Sequence, residues 1–183
     1  YLSNAGSANA KGIEISTRAI LSDSFSVYAT YAYTKAELTS DAPFLFNADG
    51  TGGAEDGDRL PGSPENQFSM GVNYQTDVFN DKTLDINYGL TAQSDVLSRV
   101  GLRDNGETLP GYSLSNISAK LTADAWSTTL YVDNLFNKYA VTSVRRSDAD
   151  ITSANGADIQ RNYGHYINRP LTVGVKFNYK FEI

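Results

Sequence analysis

The sequence predicts an all-β chain, an antiparallel transmembrane β-barrel segment of about seven strands that forms an incomplete part of a larger barrel. Three observations predict it. Apolar residues recur with a period of two, the mark of a strand with one apolar and one polar face. The connections between these stretches alternate between short and long. The ionisable residues inside the stretches fall on the polar phase.

The elements follow in order. Ile13, Ile15, Thr17, Ala19 and Leu21 alternate with Gly12, Glu14, Ser16 and Arg18, and Phe25, Val27, Ala29, Tyr31 and Tyr33 with Ser26, Tyr28, Thr30 and Ala32. Phe68, Met70, Val72 and Tyr74 form the third apolar set, and Leu84, Ile86, Tyr88, Leu90 and Ala92 the fourth. The fifth, over 112–121, is the weakest: Ile117, Ala119 and Leu121 share a phase that Leu114 breaks, and a bulge would restore it. Trp126, Thr128, Leu130 and Val132 make the sixth. Leu171, Val173, Val175, Phe177, Tyr179 and Phe181 make the last, against Thr172, Gly174, Lys176, Asn178 and Lys180.

Between them lie a tight turn at 22–24, a long loop at 38–66, a short link at 77–82, a longer one at 98–110, a tight turn at 124–125 and a long loop at 137–168. Outer-membrane barrels place short turns in the periplasm and long loops outside. On that rule the chain enters from outside and ends in the periplasm. Lipid explains the charge pattern, because a Lys or Arg facing it at mid-bilayer costs about 2–4 kcal/mol. Glu14, Arg18, Asp85, Lys120, Asp133, Lys176 and Lys180 all take the polar phase, a chance of roughly one in a hundred. Lys35 is out of phase but lies beyond Tyr33, at the outer end. Phe25, Tyr74, Trp126, Tyr179 and Phe181 mark a periplasmic aromatic girdle, and Tyr31, Tyr33, Phe68 and Phe136 an outer one.

Composition narrows the function. The 183 residues include 12 tyrosines, suited to strands and membrane interfaces, and no cysteine, which excludes disulfides and thiolate metal sites. A net charge of −6 argues against a nucleic-acid partner. No apolar run is long enough for a membrane helix. The chain begins at Tyr1 and its one methionine is Met70, so the expectation is a processed or excised piece. Seven strands leave open edges in lipid and therefore need further strands to close a barrel.

Few residues suggest chemistry. His165 is the single histidine, too little for a Ser–His triad or a transition-metal site. Asp41, Asp49, Glu55, Asp56 and Asp58 are oxygen donors on a glycine-rich loop, without the calcium-loop spacing of an EF-hand. Arg145, Arg146, Arg161 and Arg169 lie in or beside the last long loop, partly offset by Asp148, Asp150 and Asp158. Glu14, Arg18, Asp85 and Asp133 face the lumen. The sequon Asn116-Ile117-Ser118 lies in a strand, and no Gly-rich phosphate loop opens a helix.

Four local sequences carry a family resemblance: Lys11-Gly12-Ile13-Glu14, Gly57-Asp58-Arg59-Leu60-Pro61-Gly62-Ser63-Pro64-Glu65-Asn66-Gln67, Tyr131-Val132-Asp133-Asn134-Leu135-Phe136-Asn137-Lys138-Tyr139, and Asn168-Arg169-Pro170 leading into the final strand. Together they resemble the C-terminal part of TonB-dependent outer-membrane receptors. Such barrels usually end on an aromatic, whereas here Glu182 and Ile183 follow Phe181. The resemblance implies a barrel of about 22 strands with a plugged lumen. It implies import of a scarce nutrient, such as an iron–siderophore complex, across the outer membrane of a Gram-negative bacterium, and neither enzyme activity nor a cofactor. Residues 1–183 would then be the C-terminal part of the barrel, with plug, TonB box and N-terminal strands outside the chain.

The partners implied are outer-membrane lipid, the TonB complex, the barrel-assembly machinery and a small-molecule ligand. Ligand contacts are expected from the outer-loop residues Asp56, Asp58, Arg59, Arg145, Arg146, Arg161 and His165, and the assembly signal from Phe177, Tyr179, Phe181 and Ile183. A passive porin or structural barrel would share these strands and lack the plug. An outer-membrane enzyme would need a nucleophile and base at the rim. A soluble β-sandwich would also alternate, but its connections need not.

Overall fold

The computed structural model describes residues 6–46, 52–79, 81–103, 106–146, 151–152, 159–160 and 163–181. Its strands are β1 (Ala8–Ser22), β2 (Phe25–Leu38), β3 (Asn66–Val78), β4 (Lys82–Gln93), β5 (Val96–Leu97), β6 (Thr108–Leu109), β7 (Tyr112–Thr122), β8 (Trp126–Asp133), β9 (Val141–Arg146), β10 (Ile151–Thr152), β11 (Ile159–Gln160), β12 (Tyr163–Ile167) and β13 (Thr172–Tyr179). Among the described residues one 3-10 turn, Val100–Leu102, lies in the fourth connection, between β4 and β7. The strands β1-β2-β3-β4-β7-β8-β13 form one seven-stranded antiparallel sheet in that order. These are the seven strands that the alternation predicts. β5–β6, β9–β12 and β10–β11 are small ribbons inside the long connections.

The sheet has no core of its own. Ile13 is 65% exposed, Val175 70% and Phe177 64%, all on the apolar phase. A sandwich would bury that face against a second sheet; here it remains outward, as a lipid-facing wall requires. The aromatic girdle residues are cross-strand partners: Phe25 opposes Tyr74, Tyr31 opposes Phe68, and Trp126 opposes Tyr179. Trp126 also stacks diagonally on Phe177 at 6.3 Å, and Tyr179 meets Phe181 edge-on at 4.8 Å. Aromatic pairs across a ladder are among the stronger side-chain contacts a sheet can make.

The polar face is a web of small contacts. Thr30 and Ser69 hydroxyls meet at 2.6 Å, Asn73 donates to Asn87 at 2.8 Å, and Asp85 stands opposite Lys120. Tyr28 and Tyr131 cover the glycines directly opposite them, Gly71 and Gly174.

Two details differ from the sequence reading. No bulge occurs in β7, which pairs with β4 in unbroken register from Thr83↔Thr122 to Gln93↔Tyr112, so Leu114 stays on the polar phase. The cause lies at the outer end of the strand. Ser115, on the outward phase, is buried there and its carbonyl accepts from Leu135 N–H, so the rule of one wet and one greasy face no longer holds. The ends of β1 and β2 also run further than the apolar alternation, which places Lys11 directly opposite Lys35 on the outward phase. Lys35 is ion-paired with Glu37 at 2.6 Å. In the barrel wall that the sequence predicts, charge at this rim would cost only about 0–1 kcal/mol, the figure near a membrane interface.

The packed apolar cluster sits in the loops instead. Leu38, Ala42 and Ala54 are buried together, with Leu45, Leu60 and Val100 packed against them.

Candidate functional site

Glycine, proline and paired charges build the loops into a solid cap. The loop 39–65 folds back on the end of β2: Leu38 N–H donates to Asp58 O, Gly57 N–H to Leu38 O and Leu60 N–H to Ala36 O, all near 3 Å. Asp58 and Arg59, adjacent in the chain, then clamp the loop 94–111. Arg103 donates to Asp58 at 3.3 Å, and Arg59 Nη1 to Asp95 at 2.8 Å. Arg59 Nη2 also donates to the carbonyls of Ser63 and Asp95. Backbone bonds from Gly62 to Leu97 O (2.9 Å) and from Gly101 to Arg59 O (3.0 Å) complete the seam.

The asparagines of the Asn134-Leu135-Phe136-Asn137 box anchor the last loop. Asn134 is buried and takes a positive φ of 51°, a conformation asparagine tolerates. Its Nδ2 donates to the carbonyls of Lys138 (2.9 Å) and Arg169 (3.0 Å), while its Oδ1 accepts from Lys138 N–H (2.8 Å). Asn137 Oδ1 accepts from Leu171 N–H at 3.0 Å, and Asn168 bridges Ala140 and Lys138. The two ends of the loop are thus pinned together, and the β9–β12 ribbon rises from the pin. His165 on β12 meets Glu107 of the loop 94–111 at 2.8 Å.

The three long loops meet around a cavity of about 470 Å³. Phe44 and Phe46 come from the first loop, Arg99 and Arg103 from the second, Val144 and Tyr163 from the third. Its size lies within the range of small-molecule sites. A second cavity of about 570 Å³ shares Pro61, Ser98 and Val144 with it. A third of about 270 Å³, on the lumen wall, shares Gln67 and Gln93 with the second. Gln67 and Gln93 are direct partners across β3 and β4. The three thus share lining residues in turn from the loops to the wall, and Glu14 lines the third.

The residues singled out in the sequence are distributed unevenly over this site. Asp58 and Arg59 are engaged in the loop clamp and are not among the residues that line the cavity. Asp56 is exposed, and its N–H donates to Asp41 Oδ1 at 3.0 Å. Arg145 is exposed on β9, opposite Gly164 of β12. The Arg146 backbone pairs with Tyr163. Arg161 and Ile183 lie outside the described residues, as does Asp49 of the acidic loop. Among the described residues no three His, Asp or Glu side chains cluster as a metal site. Phe44, Phe46, Arg99 and Arg103 were not singled out. Their signal was available: two aromatics in a polar, glycine-rich loop, and two arginines four residues apart in the next.

Over residues 1–135 the sequence matches the family described as TonB dependent receptor-like, beta-barrel. The chain belongs to the TonB-dependent receptor family, in its β-barrel part. Its fold also matches the crystal structure of the ferric yersiniabactin uptake receptor FyuA from Yersinia pestis, with a TM-score of 0.76 and 21% identity. That match covers 100% of the present chain and 25% of the FyuA chain, so the TonB-dependent receptor chain described here spans about a quarter of that protein's length. A comparison with curated proteins gave no match.

Proposed function

We propose that this chain is the C-terminal wall of a TonB-dependent receptor that imports a scarce nutrient, such as an iron–siderophore complex, across the outer membrane. The carrying observation is the convergence of three outer loops on one cavity, with further cavities leading down the polar face. In this reading the cap captures ligand outside, lipid covers the apolar face, and a plug moved by TonB opens the lumen. Asp56, Arg145, Arg146, Arg161 and His165 would make contacts around the mouth, whereas Asp58 and Arg59 hold the cap in shape. Phe177, Tyr179, Phe181 and Ile183 would present the signal read by the assembly machinery.

The test is uptake of labelled ferric chelates by iron-starved cells that carry the receptor, with and without TonB. Accumulation that requires both supports import. Accumulation through the barrel that ignores TonB would make it a passive pore.

A further inference from the structure

We propose that the β9–β12 ribbon is a hinged strap, latched by His165 to Glu107 in acid and released as the medium becomes neutral. The loops 39–65 and 94–111 form one unit, joined by the Asp58–Arg103 and Arg59–Asp95 pairs and by Val100 packed on the cluster of Leu38, Ala42 and Ala54. The ribbon stands differently. β9 lies beside β6, but among the described residues no buried apolar cluster joins it to that unit. Val144 is the direct partner of His165, and Tyr163 lies two residues along, so the three share one face of the ribbon. That face is turned toward loop 94–111 across cavities of about 470 and 570 Å³, both lined by Val144 on one side and Ser98 on the other. The foot of the ribbon is pinned: Ala140 N–H donates to Asn168 Oδ1 at 2.8 Å, and Asn168 N–H to Ala140 O at 3.1 Å. Just above the pin the register slips between Tyr166 and Ile167, the kind of irregularity at which a ribbon bends.

Glu107 is held in place by its backbone. Its N–H donates to Ser98 Oγ at 2.7 Å, and its carbonyl accepts from Ser98 N–H at 2.9 Å. Its carboxylate meets His165 Nε2 at 2.8 Å, which ties the ribbon to loop 94–111 across the gap. A protonated ring makes this contact an ion pair, and charge-assisted hydrogen bonds are roughly twice as strong as neutral ones. Histidine ordinarily gains that charge as the medium passes from about pH 8 to about pH 5. The two side chains are 42% and 30% exposed, so protons reach them directly and the pair keeps the modest strength of a surface pair. Other charges lie around the ring. Arg145 of β9 sits opposite Gly164, Arg146 ends the same strand, and Arg99 and Arg103 line the cavity beside Tyr163. The nearby carboxylates of Asp58 and Asp95 pair with Arg103 and Arg59. Glu107 is therefore the carboxylate that the ring meets. The strap stays down when the ring is charged and lifts more often when it is neutral.

The test uses the intact receptor in detergent, with any native cysteine elsewhere in it replaced by serine. Nitroxides are attached at Thr108→Cys and Tyr166→Cys, both exposed positions. Pulsed electron paramagnetic resonance then reads the distance between loop 94–111 and the ribbon. From about pH 5.5 to about pH 8 the long-distance population should rise about threefold. His165→Gln and Glu107→Gln should each show the larger population at both pH values. His165→Lys, charged at both, should keep the short distance throughout. Heat-modifiability on gels confirms that each variant is folded, and the receptor with its latch intact gives the pH response in any case. A distance that ignores pH in that receptor would overturn the strap. So would a pH response that survives in His165→Gln, or a short distance that this variant keeps at both pH values. The import reading does not depend on any of these results.

Discussion

The ring of Tyr28 on β2 covers Gly71, its direct partner on β3, so closely that a Cβ on the glycine would overlap Tyr28 Cε1, Cζ and the hydroxyl. Tyr131 treats Gly174 in the same way. Each glycine makes room for a tyrosine laid along the polar face. Gly71→Ala should displace the ring and cost about 1–3 kcal/mol. Gly89, the next residue along that rung, has open space where its Cβ would be. Gly89→Ala should therefore stay within about 0.5 kcal/mol. Urea midpoints of the reconstituted receptor would separate the two; equal effects would disprove the packing role.

Asn134→Ala should be more damaging. It removes three side-chain hydrogen bonds: Lys138 N–H loses its acceptor, and the carbonyls of Lys138 and Arg169 keep only the Asn168 Nδ2 donor. The expected loss is about 3 kcal/mol. Part of it is backbone strain, so Asn134→Gly should recover about 1 kcal/mol of that loss. Limited proteolysis after Ala140 should show the loop opening first, before the wall unfolds.

Lipid can be distinguished from water by one pair of lysines. Leu130 is on the outward phase, 52% exposed, and Ser118 is on the polar phase of the neighbouring strand. Leu130→Lys should cost about 2–4 kcal/mol in vesicles and Ser118→Lys less than about 1 kcal/mol. Equal costs would contradict a bilayer-facing wall.

The Arg59–Asp95 pair should contribute little to global stability, because Asp95 is 45% exposed. A double-mutant cycle should give a coupling of about 0.5–1 kcal/mol. Its effect should be local: hydrogen exchange at the Gly62 amide, which donates to Leu97 O across the seam, should accelerate in Asp95→Asn.

At the other end of the molecule, Phe181 is 80% exposed and touches Tyr179. Phe181→Ala should lower the fraction of folded receptor in cells, and Ile183→Phe should raise it. Heat-modifiability on gels measures both. No change in either would dismiss the terminal strand as an assembly signal.

The wall was legible in the sequence because its two faces meet different solvents. Val173, Val175 and Phe177 had to alternate with Gly174 and Lys176, and no distant contact could override that requirement. Where the faces are covered, legibility fails, as at Leu114 beside the buried Ser115. The loops follow another logic. Arg59 and Asp95 are 36 residues apart, and Asp58 and Arg103 are 45 apart. Charged residues on a loop suggest exposure to ligand, yet these four satisfy one another. Phe44, Phe46, Arg99 and Arg103 become a site only once that pairing has brought their loops together.

The packed cluster of Leu38, Ala42 and Ala54 has a consequence for how the outside world recognises this protein. In the orientation proposed above, the surface presented to antibodies or phage is built in part from two segments, the loops 39–65 and 94–111, that share this miniature interior, and neither has that shape alone. Sera raised against a synthetic peptide from any one loop should therefore bind denatured protein and miss the living cell, while sera raised against the folded barrel should do the reverse.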